Sequence, residues 1–568
     1  MTMSEAGSQA GAEVTPRTYA GAAPGPGLWV LETAHQARPF TRFFLGVWLP
    51  VFAESMPAGF RRYGLLMERL DMRLSGIWKY VQARQVAPWR DRGPAALRPA
   101  RQLLWRLHPE VRGRARAARR ALAARAWRQE AVEWFDGGLR ARFVARNRAL
   151  QAVPVDALDE AALRGHIDEL VALLRDGDMV HMRHLVAQNV AVGDWLAHVR
   201  RWTGVDPADA LAVLRGASPA SVRPLGGLDR LVDAVRAAGA GLGPAGPPGK
   251  RLEALRAASP EVAAALEEYL GEHGDDLLGF DLDEPTLREM PALVLAALEA
   301  RLSAPAAPPP GGAADPLRAR VPEDDRAAYD RLLDDARLLY GLRDDDVAWT
   351  EMRPWGLLRR ALLAAGRRLV ARSALEHPEH AVEADPAELA ALLSGADAPT
   401  AAELAQRATR RRTAARPPLE LGEEDPAMPL PRLPAALARV NEALLEAMSQ
   451  DLLERAVPSE PSDTEVHGTP ASPGVYTGRA RIVRGPAEFG RLEKGDVLVA
   501  PTTGPSYNVV LPLIGAVVTD RGGALSHAAV VAREFGVPAV VGTQVATQRI
   551  RDGELVRIDG ARGVVTVL

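Results

Sequence analysis

Histidine, glycine and serine meet in one short stretch, TDRGGALSHAAVVAREFGVPAVVGT at residues 519–543, in a pattern suited to carrying a phosphoryl group. Val517 and Val518 end an apolar run that reads as a strand, and Gly522 and Gly523 follow as a turn with few steric limits. Ser526 is placed to cap a helix over His527–Phe535, which Gly536 stops and Pro538 keeps from resuming. His527 therefore falls in the first helical turn, where unpaired N–H groups and the positive end of the helix dipole favour an anion. The same field disfavours imidazolium, so the ring should stay neutral at pH 7 and keep a nucleophilic lone pair. A neutral imidazole beside an anion cradle can itself be phosphorylated. Gly522, Gly523 and Ser526 form the expected cradle, with Arg521 and Arg533 as candidate phosphate contacts. Ala528 and Ala529 are too small to screen the ring, so a large donor or acceptor could approach it.

A second chemistry is proton handling. Glu32 and His35, three residues apart, suit an acceptor site in which the acidic side chain orients the imidazole. His181 and His184 also fall three apart, on one face of a helical segment. Two such histidines can bind a metal, but the sequence assigns them no further ligand, so they are read as lining a core or pocket. Together with Glu289 they are the reserve candidates for the acceptor pocket.

The elements that must position His527 are a strand, a glycine turn, a short helix and a second apolar strand, AVV at 539–541. This stretch resembles the phosphohistidine, or swivelling, domain of the phosphoenolpyruvate-utilising enzymes, a family that includes dikinases and rifampicin phosphotransferases. Thr519, Gly522, Gly523, Ser526, His527, Ala529, Val531, Ala532, Arg533, Glu534, Gly536, Val537, Pro538 and Gly542 match the family pattern without a gap. Leu525 stands where the dikinases usually have threonine and the rifampicin phosphotransferase-like members an apolar residue. GTPASPGVYTGRARIV at 468–483 matches the opening of that domain, and GDVLVAPTTGPSYNVV at 495–510 its second strand and turn. Upstream the resemblance is thinner. Gly27, Trp29, His35 and Pro39 match an opening segment of two-component members such as the phenylphosphate synthases, with Glu32 replacing an aspartate. Gly274, Asp281, Leu282, Pro285 and Pro291 match a substrate-domain segment whose His-Arg pair is Asp275-Asp276 here. The stretch 349–393 is similar to the segment that precedes the swivelling domain in the same relatives.

Composition sets limits. With 568 residues, 47% hydrophobic and 25% charged, the chain has material for three or four domains with sizeable cores. Seventy Lys and Arg against 72 Asp and Glu give net charge −2, so the whole protein is no polyelectrolyte binder. The absence of cysteine excludes disulfides, thiolate catalysis and Cys-ligated metal, and suits a cytoplasmic protein. No apolar run near 18 residues is evident, and the N-terminus lacks the pattern of a secretory signal. Residues 99–150 are rich in arginine and include Trp105, Trp127 and Trp134. Their apolar positions recur with helical period, which favours helices with a solvated basic face over a nucleic-acid surface.

The expected architecture is a large, mainly α-helical domain followed by a C-terminal α/β swivelling domain. Residues 1–26 are expected to be disordered, 27–456 to form the helical acceptor-binding region, 457–467 a hinge and 468–568 the swivelling domain. Loops are placed near 239–249, 303–316 and 415–434, an amphipathic helix over 62–82, and a last helix near 435–456. No ATP-grasp domain or Walker loop is visible. The resemblance then implies one component of a split ATP-dependent phosphotransferase. A partner ATP-grasp subunit would hold ATP and Mg²⁺ and phosphorylate His527, which passes the group to a small-molecule hydroxyl. No cofactor is expected to bind this chain tightly, and neither nucleic acid nor membrane is an expected partner. The other reading is a non-catalytic phosphocarrier or regulatory subunit whose helical domain binds a protein.

Overall fold

A computed structural model describes residues 22–32, 38–86, 97–241, 246–303, 315–423, 431–451 and 464–568. It is organised along one 44-residue helix, Glu160–Thr203. Asp159 starts this helix, its side chain accepting from the Ala162 N–H at 2.7 Å, and Gly204 ends it in the left-handed region at φ 66°. Against it pack the helices Arg42–Tyr63, Arg326–Val347, Arg353–Ala371 and Ala435–Asp451. Two glycines on the central helix allow near backbone contact. A Cβ on Gly193 would lie 1.9 Å from the Ala443 carbonyl oxygen, and one on Gly177 would lie 2.4 Å from that of Thr350. Thr350 belongs to a single π-helical turn, Ala348–Met352, inserted between two α-helices.

Helix Arg42–Tyr63 is long and apolar enough, by composition, to cross a membrane, although no unbroken apolar run marks it in the sequence. Here Phe43, Val47, Val51 and Phe60 are buried and the helix runs against Glu160–Thr203. It stops at Gly64, φ 72°, so the amphipathic helix expected over 62–82 does not form. Residues Met67–Ser75 and Trp78–Gln85 instead make an antiparallel hairpin that turns at Gly76, φ 62°. Trp78, Tyr80 and Gln82 share one buried face of their strand, the period of two that a half-buried strand requires. The hairpin joins Trp29–Leu31 and Glu420–Leu421 in a four-stranded sheet, so the helical region contains a β layer.

The arginine-rich stretch folds as helices Arg98–Leu107, Pro109–Ala124, Ala126–Phe135 and Leu139–Gln151. Its basic face is solvated only in part. Arg125 and Arg128 pair with Asp335, Arg140 pairs with Asp345, and the buried Glu130 takes Arg62 and Arg183 at 2.8 and 2.7 Å. Trp127 and Trp134 lie in the core, so neither offers a ring for base stacking.

The C-terminal residues build an eight-stranded mixed sheet in the order Glu465–His467, Val564–Val567, Leu555–Asp559, Val475–Ile482, Val497–Ala500, Ala516–Thr519, Ala539–Val541 and Thr469–Ser472. The four strands from Val475–Ile482 to Ala539–Val541 are parallel neighbours. Val497–Ala500 and Ala516–Thr519 are buried along their whole length, as in parallel sheets covered on both faces. One face is covered by the histidine helix and by the 219–303 part of the helical region, through a shared core that includes Leu228, Leu270, Leu293, Val517 and Val531. Most of the expected hinge, residues 457–463, lies outside the described residues.

Replacing Gly193 with alanine should lower stability by about 1–3 kcal/mol, because the added methyl must push Ala435–Asp451 away from the central helix. Thermal or urea denaturation checks this; unchanged stability would mean that the two helices do not touch there.

Candidate functional site

Helix His527–Phe535 has the bounds that its sequence suggested, with Ser526 at the N-cap position and Gly536 at φ 68° stopping it. Ser526 has the extended backbone of an N-cap, but its hydroxyl makes no capping bond and has no partner in the docked structure. Gly522 sits at φ 102°, and a Cβ there would lie 2.7 Å from the Ser526 side chain, so the turn before the histidine demands glycine on both counts.

The His527 ring is closed in. Its Nδ1 is 3.1 Å from Thr503 Oγ1, and its Nε2 is buried without a hydrogen-bond partner. Burial pushes its pKa down to about 4; the Arg343 charge adds to this and Asp344 opposes it. The ring is therefore neutral at pH 7, with desolvation as the leading cause. Ala528 and Ala529 are themselves buried, and His527 keeps partial exposure while its Nε2 is covered.

That cover is a specific dock. Leu525 is 2% exposed and packs with Trp195, Leu214, Tyr340 and Ala447 of the helical region. Its N–H donates to the Gln450 carbonyl at 2.8 Å, and its carbonyl accepts from Arg343 at 3.3 Å. Arg533, expected as a phosphate contact, is instead a buried brace. It donates to the carbonyls of Ala471 and Ala524 at 2.9 and 2.6 Å and reaches the Tyr340 hydroxyl at 3.3 Å, so its guanidinium fixes the loop that leads into His527. Glu534, which has no assigned role from sequence, accepts the Gly216 N–H on both carboxylate oxygens at 3.0 and 2.9 Å. Arg521 is half-buried, with its backbone N–H bonded to the Pro501 carbonyl at 3.0 Å.

Beside Thr503 lies a cavity of about 70 Å³ between the two regions, with Arg38, Phe40, Asp281 and Glu284 on one side and Arg484 and Tyr507 on the other. Burial pushes the Asp281 carboxyl up to about 8, against the pull of Arg411 and the hydrogen bonds from Thr41. Lys79 lies close behind. Its ammonium is 4.6 Å from the Phe40 ring, 4.1 Å from the Trp48 ring and 3.4 Å from Glu32. Glu32 thus pairs with a buried lysine; His35, its expected companion, lies outside the described residues.

The reserve candidates are elsewhere. His181 and His184 share the Asp346 carboxylate through their Nδ1 atoms, at 3.0 and 2.6 Å, inside the helical core. Glu289 closes a capping box with Thr286 and takes a two-pronged bond from Arg359 at 2.9 and 2.8 Å, so both its oxygens are committed to holding the fold. Among the described residues no group of three or more histidine or acidic side chains is arranged to hold a metal ion. The sequence carried a signal for Thr503, in the PTTG turn at 501–504, but none for Glu534 or Asp344, whose roles arise from contacts across the two regions.

The unit is a strand, a glycine turn, a histidine helix and a second strand, with the histidine beside a threonine. Residues 492–563 match the mobile domain of PEP-utilising enzymes and residues 181–355 match the fourth domain of rifampicin phosphotransferase. It is 34% identical over 329 residues to a chondramide synthase of Chondromyces crocatus, covering 54% of this chain and 8% of that protein. It is also 41% identical over 141 residues to an uncharacterized phosphotransferase of Bacillus subtilis, 24% of this chain and 17% of that one. To a rifampicin phosphotransferase of Streptomyces sviceus it is 40% identical over 135 residues, 24% and 14% of the two chains. The chain thus matches between 8% and 17% of the length of these relatives.

A ring whose pKa is depressed on burial favours the docked, folded state fully above its ordinary value near 6.5, and that contribution is lost as pH falls toward 4. The melting temperature of the wild type should therefore fall more steeply between pH 6.5 and 4 than that of a His527→Gln variant. Parallel profiles would show that the ring is not sealed in solution.

Proposed function

We propose that this chain is the phosphoryl-carrying and acceptor-binding part of an ATP-dependent phosphotransfer system. A separate ATP-grasp subunit, holding ATP and Mg²⁺, loads His527, and the carrier domain presents the phosphoryl group to a small-molecule hydroxyl at the helical region. The observation that carries this reading is the His527 ring, neutral, at the start of a helix, with one nitrogen engaged and the other unused. When Nδ1 donates to Thr503 Oγ1, the lone pair sits on Nε2, which is then the nucleophile. Gly522 and Gly523 supply the turn, and Ser526 an unspent hydroxyl at the helix start. The cavity beside Thr503, lined in part by Arg38, Asp281, Glu284 and Arg484, gives a small hydroxyl compound a place next to the carrier.

Two measurements test this. Potassium phosphoramidate, a small phosphoryl donor that needs no nucleotide site, should place an acid-labile, base-stable phosphoryl group on the full chain. Phosphorus NMR should show an Nε2 signal that is missing from His527→Ala, and Thr503→Val should gain that signal up to about tenfold more slowly, the worth of one lost hydrogen bond. An Nε2 spectrum unchanged in His527→Ala would remove the reading. Calorimetry of the chain with Mg·ATP alone should show no micromolar binding; a tight site would place the loading step on this chain instead of on a partner.

A further inference from the structure

The two walls of the cavity beside Thr503 differ in how their charges are spent. On the helical side the three charged side chains, Arg38, Asp281 and Glu284, are all engaged. Arg38 binds Glu284 at 2.6 Å and Asp283 at 3.0 Å, and Arg411 holds Asp283 from behind at 2.7 Å. Asp281 accepts the Thr41 N–H and hydroxyl at 2.7 and 2.6 Å and the Leu282 N–H at 2.7 Å. On the carrier side the lining includes Arg484 and no acid. The Arg484 backbone N–H donates to Glu488 at 2.8 Å, but among the described residues its guanidinium has no acidic partner. The dock sets where this arginine falls. A Cβ on Gly504 would lie 2.6 Å from the Phe280 ring, and one on Gly485 would lie 3.8 Å from Glu284 Oε1, so the 484–485 turn faces the helical wall across the cavity. Arg484 lines the cavity and is exposed, which puts it at the rim. Thr503, in the same wall, engages His527 Nδ1 at 3.1 Å. Size adds a constraint. A cavity of about 150 Å³ takes one benzene. A space of about 70 Å³ therefore takes the hydroxyl-bearing end of an acceptor, and the rest of the molecule must lie at the rim.

We propose that the acceptor is a short-chain hydroxy acid, its hydroxyl in this cavity and its carboxylate bound at the rim by Arg484 of the carrier domain. This rests on the carrier reading of His527 and names the acceptor class. A guanidinium is planar and always charged, and it takes a carboxylate on two parallel N–H bonds. Arg484 is the charge in the cavity wall left to make such a pair, so a neutral alcohol would leave it unmatched while a hydroxy acid would match it. Because the arginine sits on the carrier, the acceptor site is complete only when the carrier is docked. In the transfer the acceptor oxygen forms a bond to phosphorus as the P–Nε2 bond breaks. The bonding pair stays on Nε2, and with Nδ1 protonated against Thr503 the leaving group is neutral imidazole; the acceptor's proton passes to water. Arg484 touches the carboxylate and neither the phosphoryl group nor Nε2, so it decides which acceptor is used and takes no part in the bond exchange.

Glycolate and ethylene glycol are matched probes, each a two-carbon compound with a primary hydroxyl, and only glycolate carries a carboxylate. The full chain is loaded on His527 with potassium phosphoramidate and freed of donor. Phosphorus NMR then follows the appearance of phosphoglycolate or hydroxyethyl phosphate, with rates taken per loaded histidine. The wild type should discharge to glycolate about ten- to a hundredfold faster than to ethylene glycol, the worth of a hydrogen bond to a charged group. Arg484→Gln should lose that preference by slowing the glycolate reaction alone, and Arg484→Lys, which keeps the charge, should restore a preference for glycolate. Equal rates for the two probes in the wild type, discharge to neither, or a preference that survives in Arg484→Gln would overturn the proposal. Equal slowing of both reactions in Arg484→Gln would also overturn it, because the guanidinium would then serve the phosphoryl group. Failure of the wild type to load at His527 would instead overturn the carrier reading, and the two failures are separately visible.

Discussion

Everything about the site depends on burying an imidazole without giving it a charge. The dock places Leu525 in an apolar socket and brings His527 in with it. Removing that leucine from water, worth about 2 kcal/mol, helps hold the part-buried ring with its Nε2 covered. A charged ring could not follow. The neutrality that keeps the nitrogen nucleophilic thus follows from how the loop is packed. Arg533 is drawn into the same scheme: its donors join the carbonyl of Ala524, just after the glycine turn, to that of Ala471 in the edge strand, so the loop stays ordered around its histidine.

Much of the carrier domain was legible because its information is local. A turn that only glycine can make, a helix bounded by Ser526 and Gly536, and two fully apolar strands leave little choice, and the helix runs over the residues expected. The helical region was legible in class and less so in detail. Over 62–82 the apolar residues Leu70, Met72, Leu74, Trp78 and Tyr80 also satisfy a period of two, and Gly64 and Gly76 decide for a helix stop and a hairpin. A glycine in a helical pattern is a weak signal until the chain on both sides is placed.

The charged residues show a different limit. Arg533 and Glu289 look from sequence like groups free to bind a phosphate or a substrate, and each is spent on backbone or on an ion pair instead. Conversely Thr503 and Asp344 gain their place beside His527 only through the fold. Partners such as Gly216 and Glu534, 318 residues apart, or Thr503 and His527, 24 apart, carry no spacing that periodicity can reveal.

The length of the central helix has its own consequence. At 1.5 Å per residue, its 44 residues span roughly 66 Å. Its close contact with the π-helical turn at Gly177 lies near one third of that length, and the socket for Leu525, formed in part by Val192, Trp195 and Val199, lies near the far end. Gly193, pressed against the Ala443 backbone, holds the same helix a second time beside that socket, so one continuous element carries both the core around Trp349 and the seat of the carrier.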